Sequence, residues 1–233
     1  MENINENPQT DKFSFDLEKI KNSPYRNAFD SNVNTLIERV NKIPETDRPR
    51  TICLTLVMDI EPFLRDILPG SEDHIRCLHA GIKAAIDYMQ IPENAAIEDD
   101  LGHTLRKAVT RLLSEPKAVN SDGLRKIVEF MAKNLEAFGK FEEAYDMYRV
   151  SFPEKYNEKL TKANPDKKDF PEISDNSPYF HKKEGGLASD EIKQMVSILM
   201  DEIKDDPIMQ VNAEKEMIEL YKKCREVINS NNL

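Results

Sequence analysis

Apolar residues recur every three or four positions through most of the chain, which is the spacing of one buried helix face. The pattern begins near Ser31 and continues to about Leu160, with breaks at proline or glycine. The most apolar stretch is 52–68, which starts with β-branched residues but has no evident partner strand. We therefore predict a buried helix there, bent or restarted at Pro62. The chain as a whole is predicted to be all-α, an irregular bundle of about seven or eight helices.

Capping residues and helix breakers predict where several helices begin and end. Ser71 and Ser121 each precede an acidic first turn, where a serine hydroxyl can accept a backbone N–H. Gly139 is suited to end a helix, because glycine adopts positive φ at low cost. A helix is also expected from about 94 to 113, and Pro207 fits the first turn of the last helix.

Two stretches lack the helical pattern and divide the chain. Residues 1–30 are polar and rich in asparagine, which predicts a flexible N-terminal arm. Residues 161–187 contain three prolines and two adjacent glycines, which predicts a linker. The expected organisation is an arm, a main helical domain over 31–160, this linker, and a C-terminal helical hairpin over 188–233.

Composition and charge disfavour several classes of protein without naming a function. The chain has 233 residues, a formal net charge of −10 and only 7 glycines. Scarce glycine disfavours hairpin-rich β folds and glycine-rich phosphate loops. The negative charge disfavours general binding to nucleic acid, and no apolar run reaches the length of a membrane span. Isolated cysteines at Cys53, Cys77 and Cys224 favour a reducing, cytoplasmic compartment over a disulfide framework.

Side chains for acid–base or metal chemistry are few and scattered. His74 and His79 are separated by about 140° around a helix, so they do not share a face as an i, i+4 zinc-binding pair does. An enzyme hypothesis would rest on His79, His103 and the acidic residues 98–100, centred on Asp99, and requires these side chains to meet in one cleft. Because nucleophile and phosphate-loop motifs are missing, we expect no catalytic residue, no metal site and no cofactor.

Basic residues concentrate between His103 and Lys140, where eight of them stand against four acidic residues. This excess predicts either a solvated face that compensates helix dipoles or a groove for an acidic protein. A nucleic-acid interface is less favoured, because it needs one continuous basic stripe and aromatic residues for base stacking. The candidate partner-binding residues are Arg106, Lys107, Arg111, Lys117, Arg125, Lys126 and Lys133.

The pattern as a whole favours a non-catalytic function in protein–protein interaction, as an adaptor or regulatory module that binds another protein. One alternative comes from the acidic residues near the C-terminus, Glu214, Glu216 and Glu219, which a short polar tail follows. This arrangement resembles the acidic C-terminal export signals of bacterial type IV secretion substrates. The resemblance implies an exported effector that acts on host proteins.

Overall fold

Helix follows helix through the residues that the computed structural model describes, which are 29, 31–91, 94, 99–115, 121–140, 143–144, 147–148 and 189–230. The α-helices in chain order are α1 (Val33–Asn41), α2 (Arg48–Leu54), α3 (Glu61–Ile67), α4 (Glu72–Met89), α5 (Asp99–Ser114), α6 (Asp122–Ala137), α7 (Ser189–Ile203) and α8 (Ala213–Ser230). No strand occurs in these ranges, so the prediction of an all-α protein is confirmed for them. The linker and nearly all of the predicted arm lie outside the described residues, and the division into domains stays a prediction.

The most apolar stretch of the sequence forms one continuous helical rod with a wider turn at its centre. A π-helical segment, Thr55–Ile60, directly follows α2 and leads directly into α3. The N–H of Glu61 still donates to the carbonyl of Leu56, and Pro62, which has no N–H, comes directly after the π-helical pattern ends. The predicted buried helix is therefore confirmed. Every apolar side chain of the π-helical segment is buried except that of Met58, which is 45% exposed.

Helix α4 lies at the centre of the bundle and packs against α2, α3, α5, α8 and the π-helical segment. It begins as predicted, because Oγ of Ser71 accepts the backbone N–H of His74 at 3.1 Å. Gly81 allows a close helix crossing, since a Cβ atom there would lie 2.5 Å from Cγ2 of Val57. A helix that is surrounded in this way also buries polar side chains, and both Asp73 and His74 are buried.

The ends of α6 are as predicted, whereas the predicted start of α5 lies next to residues that the structure does not describe. Oγ of Ser121 accepts the N–H of Leu124 at 3.1 Å, and Gly139 has a φ of 73° just after α6. The expected start near residue 94 stays a prediction, because residues 95–98 lie outside the described part of the chain, and the described helix covers Asp99–Ser114. Asn94 donates its side-chain amide to the carbonyl of Thr46 at 2.9 Å, which attaches it to the α1–α2 connection.

The two C-terminal helices pack mainly on different neighbours, α7 on α6 and α8 on α4. Their apolar side chains belong to the same core as those of the preceding helices. Placing Pro207 in the last helix is wrong, because Pro207–Gln210 forms a separate 3-10 helix. The N–H of Ile208 is accepted by Asp206, and the N–H of Lys215 by the Asn212 side chain, each at 3.0 Å. These two caps define two helices where the sequence pattern predicted one.

Candidate functional site

A buried group of charged side chains joins α3, α4 and α5. Glu61 begins α3 and is fully buried, and one carboxylate oxygen lies 3.1 Å from Nε2 of His74. An ionised carboxylate can only accept, so His74 donates this hydrogen bond. The second oxygen of Glu61 accepts a hydrogen bond from the Arg111 guanidinium of α5. We call Glu61, His74, Arg111 and Glu115 the Glu61 cluster.

The remaining contacts of this cluster complete its charge balance. Nδ1 of His74 lies 3.3 Å from Oε1 of Glu115, without the alignment of a hydrogen bond. Arg65, one turn along α3, places Nη1 3.8 Å from Glu61. Removing an ion from water costs several kcal/mol unless charged partners replace its hydration. The cations around Glu61 supply that replacement, so the cluster has a structural role.

Next to the Glu61 cluster lies an exposed surface that combines three cations with a methionine. Nζ of Lys107 lies 4.0 Å from Sδ of the exposed Met58. The pKa of Lys107 is lowered from its ordinary value, first because the amine is partly desolvated and then because Arg111 and Arg65 repel its charge. Glu61 acts in the opposite direction but does not cancel these effects. We call Met58, Arg65, Lys107 and Arg111 the Lys107 surface.

The predicted partner-binding residues divide into those on this surface and those elsewhere. Lys107 and Arg111 lie together on the Lys107 surface. Three other candidates bind acidic side chains of the same chain in the pairs Arg106–Glu143, Lys126–Glu202 and Lys133–Glu129. Arg125 is exposed on α6, and Lys117 lies outside the described residues. Two of the seven candidates therefore belong to the site that we describe.

Sequence reasoning missed the residues that come from α3, α4 and the π-helical segment. Glu61 stands inside the most apolar stretch of the chain, where a charge needs a partner. That position was the available signal for a buried ion pair. Its partner Arg111 is 50 residues away, so no local spacing could connect the two. Met58 gave no signal, because its exposure follows from the register of the π-helical segment.

The residues of the enzyme hypothesis have separate environments. His79 is half-buried, and desolvation lowers its pKa while the charge of Asp206 opposes that shift. His103 is exposed on α5. Asp99 lies at the start of that helix, and Glu98 lies outside the described residues. Within the described part of the chain, no three histidine, cysteine or acidic side chains are arranged to hold a metal ion.

The three cysteines are buried in the apolar core. Desolvation raises the pKa of Cys77 well above its ordinary value and also raises the pKa of Cys224. Sγ of Cys77 donates to the backbone carbonyl of Leu56 at 3.3 Å. A thiol must ionise to act as a nucleophile or a metal ligand, so the environment of Cys77 and Cys224 disfavours both roles.

A second group of charges joins α4 to α8 and includes acidic residues that the sequence analysis connected with export. Nη2 of Arg76 donates to Glu216 at 2.6 Å and to Glu219 at 3.1 Å. Nη1 of Arg76 donates to Asp73 at 3.3 Å, and Asp73 also accepts from Lys223. We call these five residues the Arg76 network. It gives Glu216 and Glu219 a structural role within the bundle.

Comparisons with protein-family models, with curated proteins and with solved structures yield no match for this chain. Among the described residues, no helix is both long enough and apolar enough to cross a membrane.

Proposed function

We propose that this protein is a non-catalytic interaction module whose Lys107 surface binds an acidic segment of a partner protein. The observation that supports the proposal is the crowding of Arg65, Lys107 and Arg111 next to the exposed Met58. Like charges raise one another's free energy when they are held close together. An acidic segment would relieve that repulsion, and the methionine would bury apolar area in the same contact.

Charge complementarity is the first argument for an acidic partner. The whole chain carries a net charge of −10, whereas this surface has three cations against two carboxylates, those of Glu61 and Asp66. Lys107 forms no ion pair with another described residue, and its side-chain contact is the sulfur of Met58. A local patch of opposite sign to the rest of the protein steers oppositely charged partners and rejects those of like charge.

The composition of the surface is the second argument. Methionine and arginine are enriched at protein–protein interfaces. The unbranched thioether of Met58 can adapt to different partner side chains, because it has several rotatable bonds and a polarisable sulfur. The exposed Met58 can therefore supply the apolar centre of a contact that Arg65 and Lys107 surround with charge.

The third argument is that the binding groups are held in place before a partner arrives. α5 buries its opposite face in the core, through residues that include Leu105, Val109 and Leu112. Glu61 holds the Arg111 guanidinium from the interior. Side chains that are already ordered lose less conformational entropy on binding, which favours recognition.

Fluorescence anisotropy with a labelled peptide that carries glutamates on both sides of a central leucine tests the proposal. The full chain is expected to bind this peptide, and binding should weaken as salt increases. Lys107→Glu should reduce the affinity by at least about 10-fold, because it replaces attraction with repulsion. The matched control is Lys204→Glu, which makes the same charge change at an exposed lysine beyond α7 and should leave the affinity unchanged.

Three outcomes would contradict the proposal. The first is equal peptide affinity of the Lys107→Glu and Lys204→Glu chains. The second is equally tight binding of a peptide with lysines in place of the glutamates. The third is equally tight binding of an oligonucleotide of the same charge, which would assign the surface to anions in general.

A further inference from the structure

A second candidate site is a surface pocket where α2, α4 and the start of α8 meet. Its volume is about 380 Å³, which is within the range of pockets that bind small molecules. The buried side chains of Ile52, Ala84 and Ala213 contribute apolar lining. None of the pocket's residues belongs to the Lys107 surface, so the two sites are independent.

Arg48, the first residue of α2, supplies a cation to this pocket. Its Nε atom is buried and has no hydrogen-bond partner among the described residues. Because that atom is closed to solvent, a ligand can reach Arg48 only through the terminal Nη groups of its guanidinium. Arg48 forms no ion pair with another described residue, so its charge is open to a bound carboxylate. The other lining cation, Lys83, is already bound to Asp87 one helical turn away.

The same pocket is lined by two carboxylates, those of Glu45 and Glu214. Neither forms an ion pair with another described residue, in contrast to Asp87. Glu214 lies in the first turn of α8. The pocket therefore offers one cation and two carboxylates around an apolar surface, which suits a ligand that has both charges and a small apolar part.

We propose that this pocket binds a small zwitterion, namely a dipeptide or α-amino acid with small apolar side chains. The ligand carboxylate accepts from the terminal Nη groups of the Arg48 guanidinium, and its ammonium group donates to Glu45 or Glu214. Its side chains lie against Ile52 and Ala84. Two residues in extended conformation span about 7 Å, which a pocket of about 380 Å³ can hold.

Isothermal titration calorimetry with the dipeptide Ala-Ala tests this proposal on the full native chain. Ala-Ala should bind with a dissociation constant near or below about 1 mM, the weak range expected for so small a ligand. N-acetyl-Ala-Ala lacks the ammonium group and Ala-Ala-amide lacks the carboxylate. Each is expected to bind at least about 10-fold more weakly, because each loses one charged contact. The measurement with N-acetyl-Ala-Ala also distinguishes a free dipeptide from the C-terminus of a protein chain, because neither the acetylated peptide nor a C-terminus has the ammonium group.

Substitutions test which residues of the pocket bind Ala-Ala. Arg48→Gln and Glu214→Gln should each weaken Ala-Ala binding by at least about 10-fold, whereas Lys222→Gln, at an exposed position of α8, should not. Lys107→Glu should also leave Ala-Ala binding intact, so failure of either proposal leaves the other standing. No binding of Ala-Ala at about 10 mM, or equal binding of all three peptides, would overturn the proposal. If Arg48→Gln fails to fold, the affinities of the native chain for the two capped peptides still test the proposal.

Discussion

The Glu61 cluster and the Arg76 network both join helices through charged side chains, but the first is buried and the second is partly exposed to water. Each joins neighbouring helices through carboxylates and a guanidinium, Arg111 of α5 to Glu61 of α3 in the first and Arg76 of α4 to Glu216 of α8 in the second. Glu61 and His74 are buried, whereas Arg76 is 37% exposed and its partner Glu219 is 46% exposed. The chemistry of the ion pairs is shared, so any difference in their contribution to stability must come from hydration.

That difference follows from what each carboxylate loses when a partner is removed. Water can replace a lost partner in the Arg76 network, and the other members of the network remain close to Arg76. Water cannot reach Glu61, whose two oxygens bind His74 and Arg111. Exposed pairs therefore contribute about 0–1 kcal/mol each, whereas breaking a buried pair costs about 3–5 kcal/mol.

The largest effect is expected for Glu61→Ala. This change leaves the Arg111 guanidinium without its buried acceptor and creates a cavity between α3 and α4. We expect the free energy of unfolding, measured by urea denaturation, to fall by about 3–5 kcal/mol.

The control for this prediction is Glu129→Ala, which breaks the exposed i, i+4 pair with Lys133 on α6. It should change the free energy of unfolding by less than about 1 kcal/mol. Losses of similar size for the two variants would mean that burial does not distinguish the two kinds of ion pair.

A smaller effect is expected for Arg76→Met, which keeps much of the side-chain length but removes the charge. Desolvation lowers the pKa of Arg76, but the hydrogen bond and charge of Glu216, together with Asp73 and Glu219, outweigh it and raise the pKa overall. Loss of this network should reduce the free energy of unfolding by about 1–2 kcal/mol at low salt. Urea denaturation in about 0.05 M and about 1 M salt measures how much of this loss is electrostatic.

The salt dependence of the destabilisation distinguishes the exposed network from the buried cluster most clearly. Salt screens exposed charges and has less effect on buried ones. The destabilisation by Arg76→Met should therefore shrink at high salt, whereas that by Glu61→Ala should change little. The hypothesis fails if both variants respond to salt to the same extent.

The two charged regions also show what the sequence can and cannot predict. Ser71, Ser121 and Gly139 were predicted correctly, because a cap depends on residues within one helical turn. The contact between Glu61 and Arg111 joins residues 50 positions apart, and it depends on how α3 and α5 pack. Helical periodicity contains no information about that packing, so candidate cations could be named while their partners could not.

Pro207 shows a different limit. Proline fits the first turn of an α-helix and of a 3-10 helix equally well, since both leave the first N–H groups unpaired. Asp206 caps the 3-10 helix with one carboxylate oxygen, which accepts the N–H of Ile208. Its second oxygen accepts the N–H of Gly123 at 3.0 Å. This tertiary contact with the start of α6 lies 83 residues away in sequence. Local rules therefore predicted the fold class and several helix ends, but not where the last helix begins.

The smallest effect is expected for Glu136, whose carboxyl group is neither paired with an arginine nor fully exposed to water. Glu136 on α6 is half-buried, and its Oε1 atom is buried with no hydrogen-bond partner in the described residues. Desolvation raises the pKa of Glu136 to about 7, although a hydrogen bond from Tyr148 and the charge of Lys133 act in the opposite direction. Glu136 therefore shows what burial does to a carboxyl without the cations that surround Glu61.

The sign of the pH effect follows from this raised pKa. Below the unfolded value of 4.5 the group is protonated in both states, so it has no effect on stability. Between pH 4.5 and about 7 the unfolded chain ionises this carboxyl while the folded protein still holds its proton. Stability therefore falls over this interval and stays lower above about pH 7, where the folded protein also ionises the partly desolvated group. Glu136→Gln removes that ionisation. It should raise the free energy of unfolding by about 1 kcal/mol at about pH 8 and change it little at about pH 4, the gain being limited because water screens a half-buried group.

The matched control is Glu129→Gln, two turns away on the same face of α6, where Lys133 already compensates the charge at 2.7 Å. This variant should not be stabilised at either pH. Stabilisation of Glu136→Gln that is equal at both pH values would show that the gain comes from packing or helix propensity. A gain confined to high pH would show that ionising a partly desolvated carboxyl without a paired arginine costs stability, a cost that Arg111 and His74 offset at Glu61.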